Sequence, residues 1–462
     1  MKKIMNQSRD AGQKFCKQRL TLLAVVILSA TMLSCKKSAS ALETEQVKAA
    51  VLKSNAVYSI LNPQTEWIFN EKPTTESEQS RLKTSLKAAD FDPVGLRVKS
   101  GVALSIHVEV LTASSASPQL MVGSYDRGTV TTYNLQPGNN SISPTNAGEL
   151  YIKYASASPS GGKLKITFNS GHLGMPFYEL GKTTHQEWLD ALASDTDTTS
   201  KNAILVANRA FLVVSKAKAL EFKNEDQDLA LRLIDTALKA EDDFSGMDNS
   251  SATHASRKLK IMVTERTSGY MDATSYRIRI VTASISRILK VSDLQTNGWG
   301  VWHEFGHQHQ MHQWTWNSVV GEVMPNIYTL AARRVVQPGS PGLTTAQWND
   351  VTTFLAKPAA SRIYEASSTS LITRLGLFQQ LYLAFGDAFF IKVHKFYREN
   401  VISVANDEEE KRLFMINASK LSNKNLVSFF KAWGFTVNAS VYDEINALNL
   451  PAPAVDLTTL RD

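Results

Sequence analysis

The run Trp302-His303-Glu304-Phe305-Gly306-His307 constrains this chain more than any other feature. It is an H-E-x-x-H pattern, which acts as a unit on a helix. Two histidines four residues apart sit about 40° apart around the axis and one turn up, so their imidazoles can converge on one ion. Glu304 is rotated about 100° from His303, away from the third ligand position, but it can reach a water beside that ion. Two neutral imidazoles, an open coordination position and a nearby carboxylate base suit a zinc hydrolase. Four of the nine histidines fall within 303–312. Gly306 costs about 1 kcal/mol in a helix interior relative to Ala, so its place beside the ligand face predicts close approach of another backbone.

The third ligand must come from elsewhere. A glycine at 310 and a histidine at 313 would complete one class of zinc site, but both positions are Gln. On a straight helix His309 points about 200° and His312 about 140° away from His307, so neither joins the same ion. Glu322 lies 15 residues past His307. It is expected to open an amphipathic helix, Glu322-Val323-Met324-Pro325-Asn326-Ile327-Tyr328, that returns opposite the two histidines. One Zn2+ held by His303, His307 and Glu322 is the resulting expectation.

The N-terminus reads as an export segment. A basic stretch to Arg19 precedes an apolar run, Leu20 to Leu33, too short to span a bilayer as a helix. Thr31-Met32-Leu33-Ser34-Cys35 then resembles a bacterial lipoprotein cleavage site, so residues 1–34 are read as a signal peptide and Cys35 as the lipid-bearing residue. The expected location is the bacterial cell envelope, with a lipid anchor to the membrane. Cys16, the second of two cysteines, falls in the removed segment, which leaves no internal disulfide. The formal charge of +7 drops to +2 once residues 1–34 are set aside, which gives no electrostatic case for nucleic-acid binding. A monomer is expected.

Along the rest of the chain the hydrophobic period divides the sequence. Residues 35–41 read as a tether and 42–90 as a helical segment, from Val47, Val51, Ala56 and Ile60 and from the pattern over Glu76–Ala89. Residues 91–170 alternate with period two between turn-rich stretches and predict an antiparallel β-sandwich. Residues 171–335 mix strand-like runs (Ala203–Val206, Leu259–Val263, Ile278–Val281) with helical ones and carry the metal motif. Residues 336–462 are helical by pattern. The fold class is α+β: a helical start, a β-sandwich, a zincin-type catalytic region and a C-terminal helical bundle. Trp314 reads as packing and His394 as a helix-surface residue. Glu241-Asp242-Asp243 and Asp407–Glu410 read as solvated faces.

The run Gly298 to His307, followed by Gly321-Glu322-Val323 and Asn326-Ile327-Tyr328, resembles the enhancin-like zinc metallopeptidases, the family of viral enhancins and bacterial mucin-degrading peptidases. Fourteen residues separate His307 from Glu322. Phe91-Asp92-Pro93-Val94-Gly95-Leu96, Val122-Gly123-Ser124, Tyr178 to Thr183 and Phe429-Phe430 with Trp433-Gly434 extend the resemblance over roughly residues 80–440. One stretch departs: Gly269 to Arg277 stands where the family often has a Met-His-Ser-Gly-Tyr-Pro-like run. The resemblance implies His303, His307 and Glu322 as zinc ligands and Glu304 as the base. It also implies an endopeptidase whose substrates are O-glycosylated, mucin-type host proteins. Asn326 then reads either as a support to the ligands or as a helix-face polar residue. Tyr276 and Tyr328 are candidates for oxyanion stabilisation, and a strand near Leu259–Val263 for substrate alignment. Two alternatives remain: a glycan- or protein-binding lipoprotein with a zinc site that does not turn over, and a peptidase of broader protein or cell-wall peptide substrates.

Overall fold

The computed structural model describes residues 59–125, 130–198, 201–400 and 402–462. The expected signal peptide, Cys35, the tether and the first part of the 42–90 helical segment lie outside these residues. Within 59–90 the expected helix is confined to Thr75–Leu82, capped by the Thr74 side chain. Glu66–Asn70 is a strand instead. It pairs antiparallel with Lys163–Ser170, and Phe69 enters the sandwich core. The local helical spacing there loses to a non-local strand partner.

Two antiparallel sheets form the sandwich. One orders Glu66–Asn70, Lys163–Ser170, Leu104–Thr112 and Gly138–Ile142. The other orders Leu173–Gly174, Phe91–Val98, Gly148–Lys153, Gln119–Gly123 and Val130–Asn134. Leu104, Ile106 and Val108, with Leu164, Ile166 and Phe168 of the neighbouring strand, meet Leu150 and Ile152 of the other sheet in one core, as the period-two pattern requires.

A mixed six-stranded sheet follows. Its strands are β1 (Phe177–Glu179), β2 (Asn202–Val206), β3 (Ala210–Ser215), β4 (Ile261–Arg266), β5 (Met271–Ala273) and β6 (Arg277–Val281). The spatial order is β1-β2-β3-β4-β6-β5. One face carries Leu205, Leu212, Val263, Ile278 and Ile280 against helices, including α1 (Gln227–Phe244) and α2 (Trp299–His307). The other carries Ile204, Phe211, Val213 and Met262 against Phe91, Tyr125 and Tyr151 of the sandwich. Leu259–Val263, the stretch expected to align substrate, is therefore an interior position: β4 is paired on both sides, and the edge strands are β1 and, on the side of α2, β5.

The metal-motif helix stops at His307. Two helices, α3 (Asn317–Gly321) and α4 (Pro325–Val336), stand on either side of Glu322. Pro325 at the first turn of α4 needs no backbone donor there, so the break falls just before it. Glu322 does not open a helix; it ends α3 in the turn between the two. Beyond α4 the chain is helical, with α5 (Leu371–Glu399), bent where Gly386 takes φ 68°, and α6 (Asp407–Ser422). No helix among the described residues is long and apolar enough to cross a membrane.

Candidate metal centre

Helix α2 is held on two sides. Val301, Trp302 and Phe305 are buried against the helix-facing side of the sheet. Gly306 lies against α4 so closely that an added Cβ would stand 2.4 Å from the Pro325 carbonyl oxygen. The backbone approach predicted from Gly306 is present, and Pro325 supplies it. This contact places the turn carrying Glu322 opposite His303 and His307.

The three side chains meet. Each of His303, His307 and Glu322 offers one ligand atom, and these atoms lie within 4.8 Å of one another. The His303 and His307 Nε2 atoms are 3.3 and 3.7 Å from Glu322 Oε2. Ligands about 2 Å from a tetrahedral zinc lie roughly 3.3 Å apart, so the donor set fits that ion with little movement. The imidazoles are perpendicular, with ring centres 4.8 Å apart.

Two amide side chains aim these rings. Asn326 Oδ1 lies 3.1 Å from His303 Nδ1, and Gln310 Oε1 lies 2.6 Å from His307 Nδ1. Each ring can therefore donate its Nδ1 proton and keep Nε2 bare for an ion. The amides are themselves fixed from the Glu322 turn. Asn326 Nδ2 donates to the Glu322 carbonyl at 2.9 Å, and Gln310 Nε2 donates to the Gly321 carbonyl at 2.6 Å. Trp299 also donates to Asn326 Oδ1 at 2.9 Å. Of the two readings of Asn326, the geometry favours support of the ligands. Gln310 was missed by sequence reasoning, which used it only to dismiss a glycine. Its signal was an amide three residues past His307.

The electrostatics follow from burial. Desolvation opposes charge on His303, but the hydrogen bonds its ring donates to Glu322 and Asn326, together with the nearby Glu304 and Glu322 charges, outweigh it and leave its pKa raised. His307 is pushed down by burial and by the charge of His303. Glu322 is held below the usual carboxylate range by its bond to His303. Glu304 is buried and raised to about 7, by desolvation first and then by the neighbouring Glu322 and Asp272 carboxylates. Its Oε2 has no hydrogen-bond partner among the described residues. An orphaned carboxylate oxygen beside an assembled donor set is placed to hold a water proton.

Other expectations change. Tyr328 cannot face a substrate, because it is fully buried with its hydroxyl 3.0 Å from the His309 carbonyl and 2.8 Å from His394 Nε2. Tyr276 packs on Phe91 and Tyr125, on the sheet face away from α2. His394 is not on the surface: it is fully buried, with Nδ1 2.7 Å from the Phe390 carbonyl. Glu241 and Asp242 are also interior, because the inward face of α1 meets His309, 3.2 Å from Glu241 and 2.9 Å from Asp242. Arg209 adds a further partner to Asp242. Charges paired this way can be buried. Trp314 packs in the helical core, as expected.

The profile of the peptidase M60 family, enhancin and enhancin-like, matches residues 171–434. Among curated proteins, TRPM8 channel-associated factor 3 of Mus musculus is 25% identical over 400 residues, covering 84% of this chain and 42% of its own length. The chain thus spans about two fifths of that relative. A crystal structure of a functionally unknown conserved protein from Bacillus anthracis superposes with a TM-score of 0.75 at 28% identity, covering 86% of this chain and 81% of that one. The M60 catalytic domain of Clostridium perfringens ZmpC, solved with the sialyl T antigen, superposes with a TM-score of 0.71 at 21% identity, covering 86% and 82%. The chain belongs to the peptidase M60 family of enhancin and enhancin-like proteins, and its fold is α+β.

Proposed function

We propose that the chain is an envelope-anchored zinc endopeptidase of O-glycosylated, mucin-type proteins. In this reading His303, His307 and Glu322 hold one Zn2+, Glu304 is the general base, and Cys35 carries the lipid. The observation that carries it is the buried Glu304 carboxylate, with Oε2 unpartnered, beside three converging donor atoms. Zinc supplies Lewis acidity: it polarises a carbonyl and lowers the pKa of water toward about 7. Glu304 does the proton work. Its raised proton affinity suits it to take a proton from water and deliver it to the leaving amine.

The edge strand aligns the peptide. Val281 N–H donates to the Tyr270 carbonyl at 2.9 Å and Thr274 N–H to the Arg277 carbonyl at 2.8 Å. In an antiparallel ladder alternate residues turn inward, so the backbone groups of Met271 and Ala273 face the open edge. A peptide added there runs alongside α2. The glycoprotein preference rests on family membership and on the glycan bound to the ZmpC neighbour.

The test is cleavage of a mucin-type glycopeptide and of its unglycosylated counterpart by purified protein, with chelator and after zinc is restored. Glu304→Gln should keep the metal and lose about 10²–10⁴-fold in rate. Full activity in that variant, or in chelated protein, overturns the assignment. Equal cleavage of both peptides leaves a peptidase without the glycan preference. Envelope anchoring is checked separately: Cys35→Ala should release the protein from the membrane fraction.

A further inference from the structure

A second polar hollow lies one strand in from the proposed peptide-binding edge. Arg277 and Arg279 alternate on β6 with Ile278 and Ile280, which are fully buried on the α2 side. The two arginines therefore face the sandwich side of the sheet. Arg266 ends β4 on the same face, since Met262 and Thr264 lead to it with period two. The three guanidinium groups line a cavity of about 190 Å³ together with Tyr125, Thr264, Glu265, Thr267 and Ser268. Gly269, at φ +81°, folds the 267–270 turn over it: a Cβ there would stand 2.7 Å from Arg266 Nη2.

The charges do not balance. Asp272 accepts from Arg279 Nε and Nη2, each at 2.6 Å, and from Arg266 Nη1. Glu265 is committed to the Ser215 backbone N–H at 2.7 Å. Arg277 donates to the Tyr125 carbonyl and has no carboxylate partner among the described residues. Three guanidinium groups thus meet two carboxylates, and several N–H groups stay available beside the hydroxyls of Thr267 and Ser268. Such a fork geometry matches the oxygens of an anion. Asp272, which Arg266 and Arg279 hold, lies on β5, the edge strand beside which the peptide is proposed to run. Neighbouring strands are about 4.8 Å apart, so a group projecting from a peptide on β5 crosses one or two strands to reach it.

We infer that this cavity is a subsite for an oxyanion carried by the substrate, a carboxylate or sulfate ester, and that it makes the protein prefer acidic glycopeptides. The inference rests on the peptidase reading above. The shared chemistry has three sources, an acidic sugar, a sulfated sugar and an acidic side chain, and the experiment separates them.

KM is measured for one glycopeptide bearing a neutral glycan, the same peptide with a sialylated glycan, with a sulfated glycan, and with a neutral glycan beside a Glu residue. Binding of the same four to Glu304→Gln protein is followed by calorimetry. At least one acidic form should bind about tenfold more tightly than the neutral one, and the form preferred names the source. Raising the salt concentration should erode that margin. Arg266→Gln with Arg277→Gln should abolish it while turnover of the neutral peptide persists, and the paired Lys substitutions should recover part of it. Equal binding of all four peptides, or an acidic preference that survives the Gln pair, overturns the subsite. No cleavage of any peptide, with the acidic preference in binding intact, overturns the peptidase reading and leaves the subsite standing.

Discussion

At the scale of single residues, Glu304 and Gly306 divide the work of the H-E-x-x-H helix. Glu304 must be ionised to accept a proton, and burial raises its pKa to about 7. A cation bound by the neighbouring side chains pulls that value down. Acid also protonates His303 and His307, which must be neutral to bind metal. Both effects act in the same direction, so kcat/KM should fall below about pH 6 by tenfold or more per pH unit. A rate that stays flat to pH 4 would contradict histidine ligation. Gly306 acts sterically. A methyl group at that position meets backbone at 2.4 Å rather than a movable side chain. Gly306→Ala should cost about 1–3 kcal/mol, as overpacking does, and should weaken zinc binding because α4 carries the Glu322 turn with it. A zinc titration alongside thermal melting checks both halves. The motif and Gly306's contact were legible because both follow from helix geometry alone. Gln310 was not, since an amide's role depends on which carbonyl it reaches, here that of Gly321.

Elements show where local pattern stops being informative. Ile278–Val281 and Ala203–Val206 read as strands and are strands. The pairing order placed Leu259–Val263 inside the sheet and left Met271–Ala273 at its edge, and no periodicity in three residues announces an edge strand. Glu66–Asn70 went to the sandwich for the same reason, its partner lying about a hundred residues away. The edge position is testable. Proline is tolerated where a backbone N–H faces outward from a sheet, and there it removes only the donor a bound peptide would use. Ala273→Pro should raise KM about tenfold with little change in melting temperature. A large loss of stability with unaltered KM would show that Ala273 turns its N–H inward. A matching pair of variants examines the ring-aiming amides: Asn326→Ala and Gln310→Ala should each lower zinc affinity 10- to 100-fold, as loss of outer partners does, while the fold persists. Direct zinc titration of the two variants decides this without reference to turnover.

Across the whole molecule the candidate metal centre sits where α2, packed on the six-stranded sheet, meets α4. Behind α2 lies a buried polar network in which His309 joins Glu241 and Asp242, and Tyr328 bridges the His309 carbonyl to His394. Sequence patterning assigned Glu241, Asp242 and His394 to the surface because it scores each polar residue alone, whereas the fold pairs them. The pairing has a pH signature. Burial holds His394 down to about 3, and its Nδ1–H is committed to the Phe390 carbonyl, so in the neutral ring Nε2 is an acceptor that shares the one Tyr328 hydroxyl proton with the His309 carbonyl. Its folded pKa lies below the unfolded value of about 6.5. The folded state therefore resists a proton that the unfolded chain takes up. The stability this group contributes is complete above pH 6.5 and declines as pH falls toward 3. Glu241, raised to about 7 by burial, acts with the opposite sign and complicates the wild-type profile. Comparison with His394→Gln cancels that term. Wild type should exceed the variant in unfolding free energy at pH 7, and the margin should shrink as the solution is acidified, by roughly 1.4 kcal/mol for each pH unit well below 6.5. Denaturant melts at pH 7, 6, 5 and 4 measure the margin. A difference that stays constant across the series would mean that His394 is already protonated in the folded state, and the bridge through Tyr328 would then have to be drawn with the donor reversed.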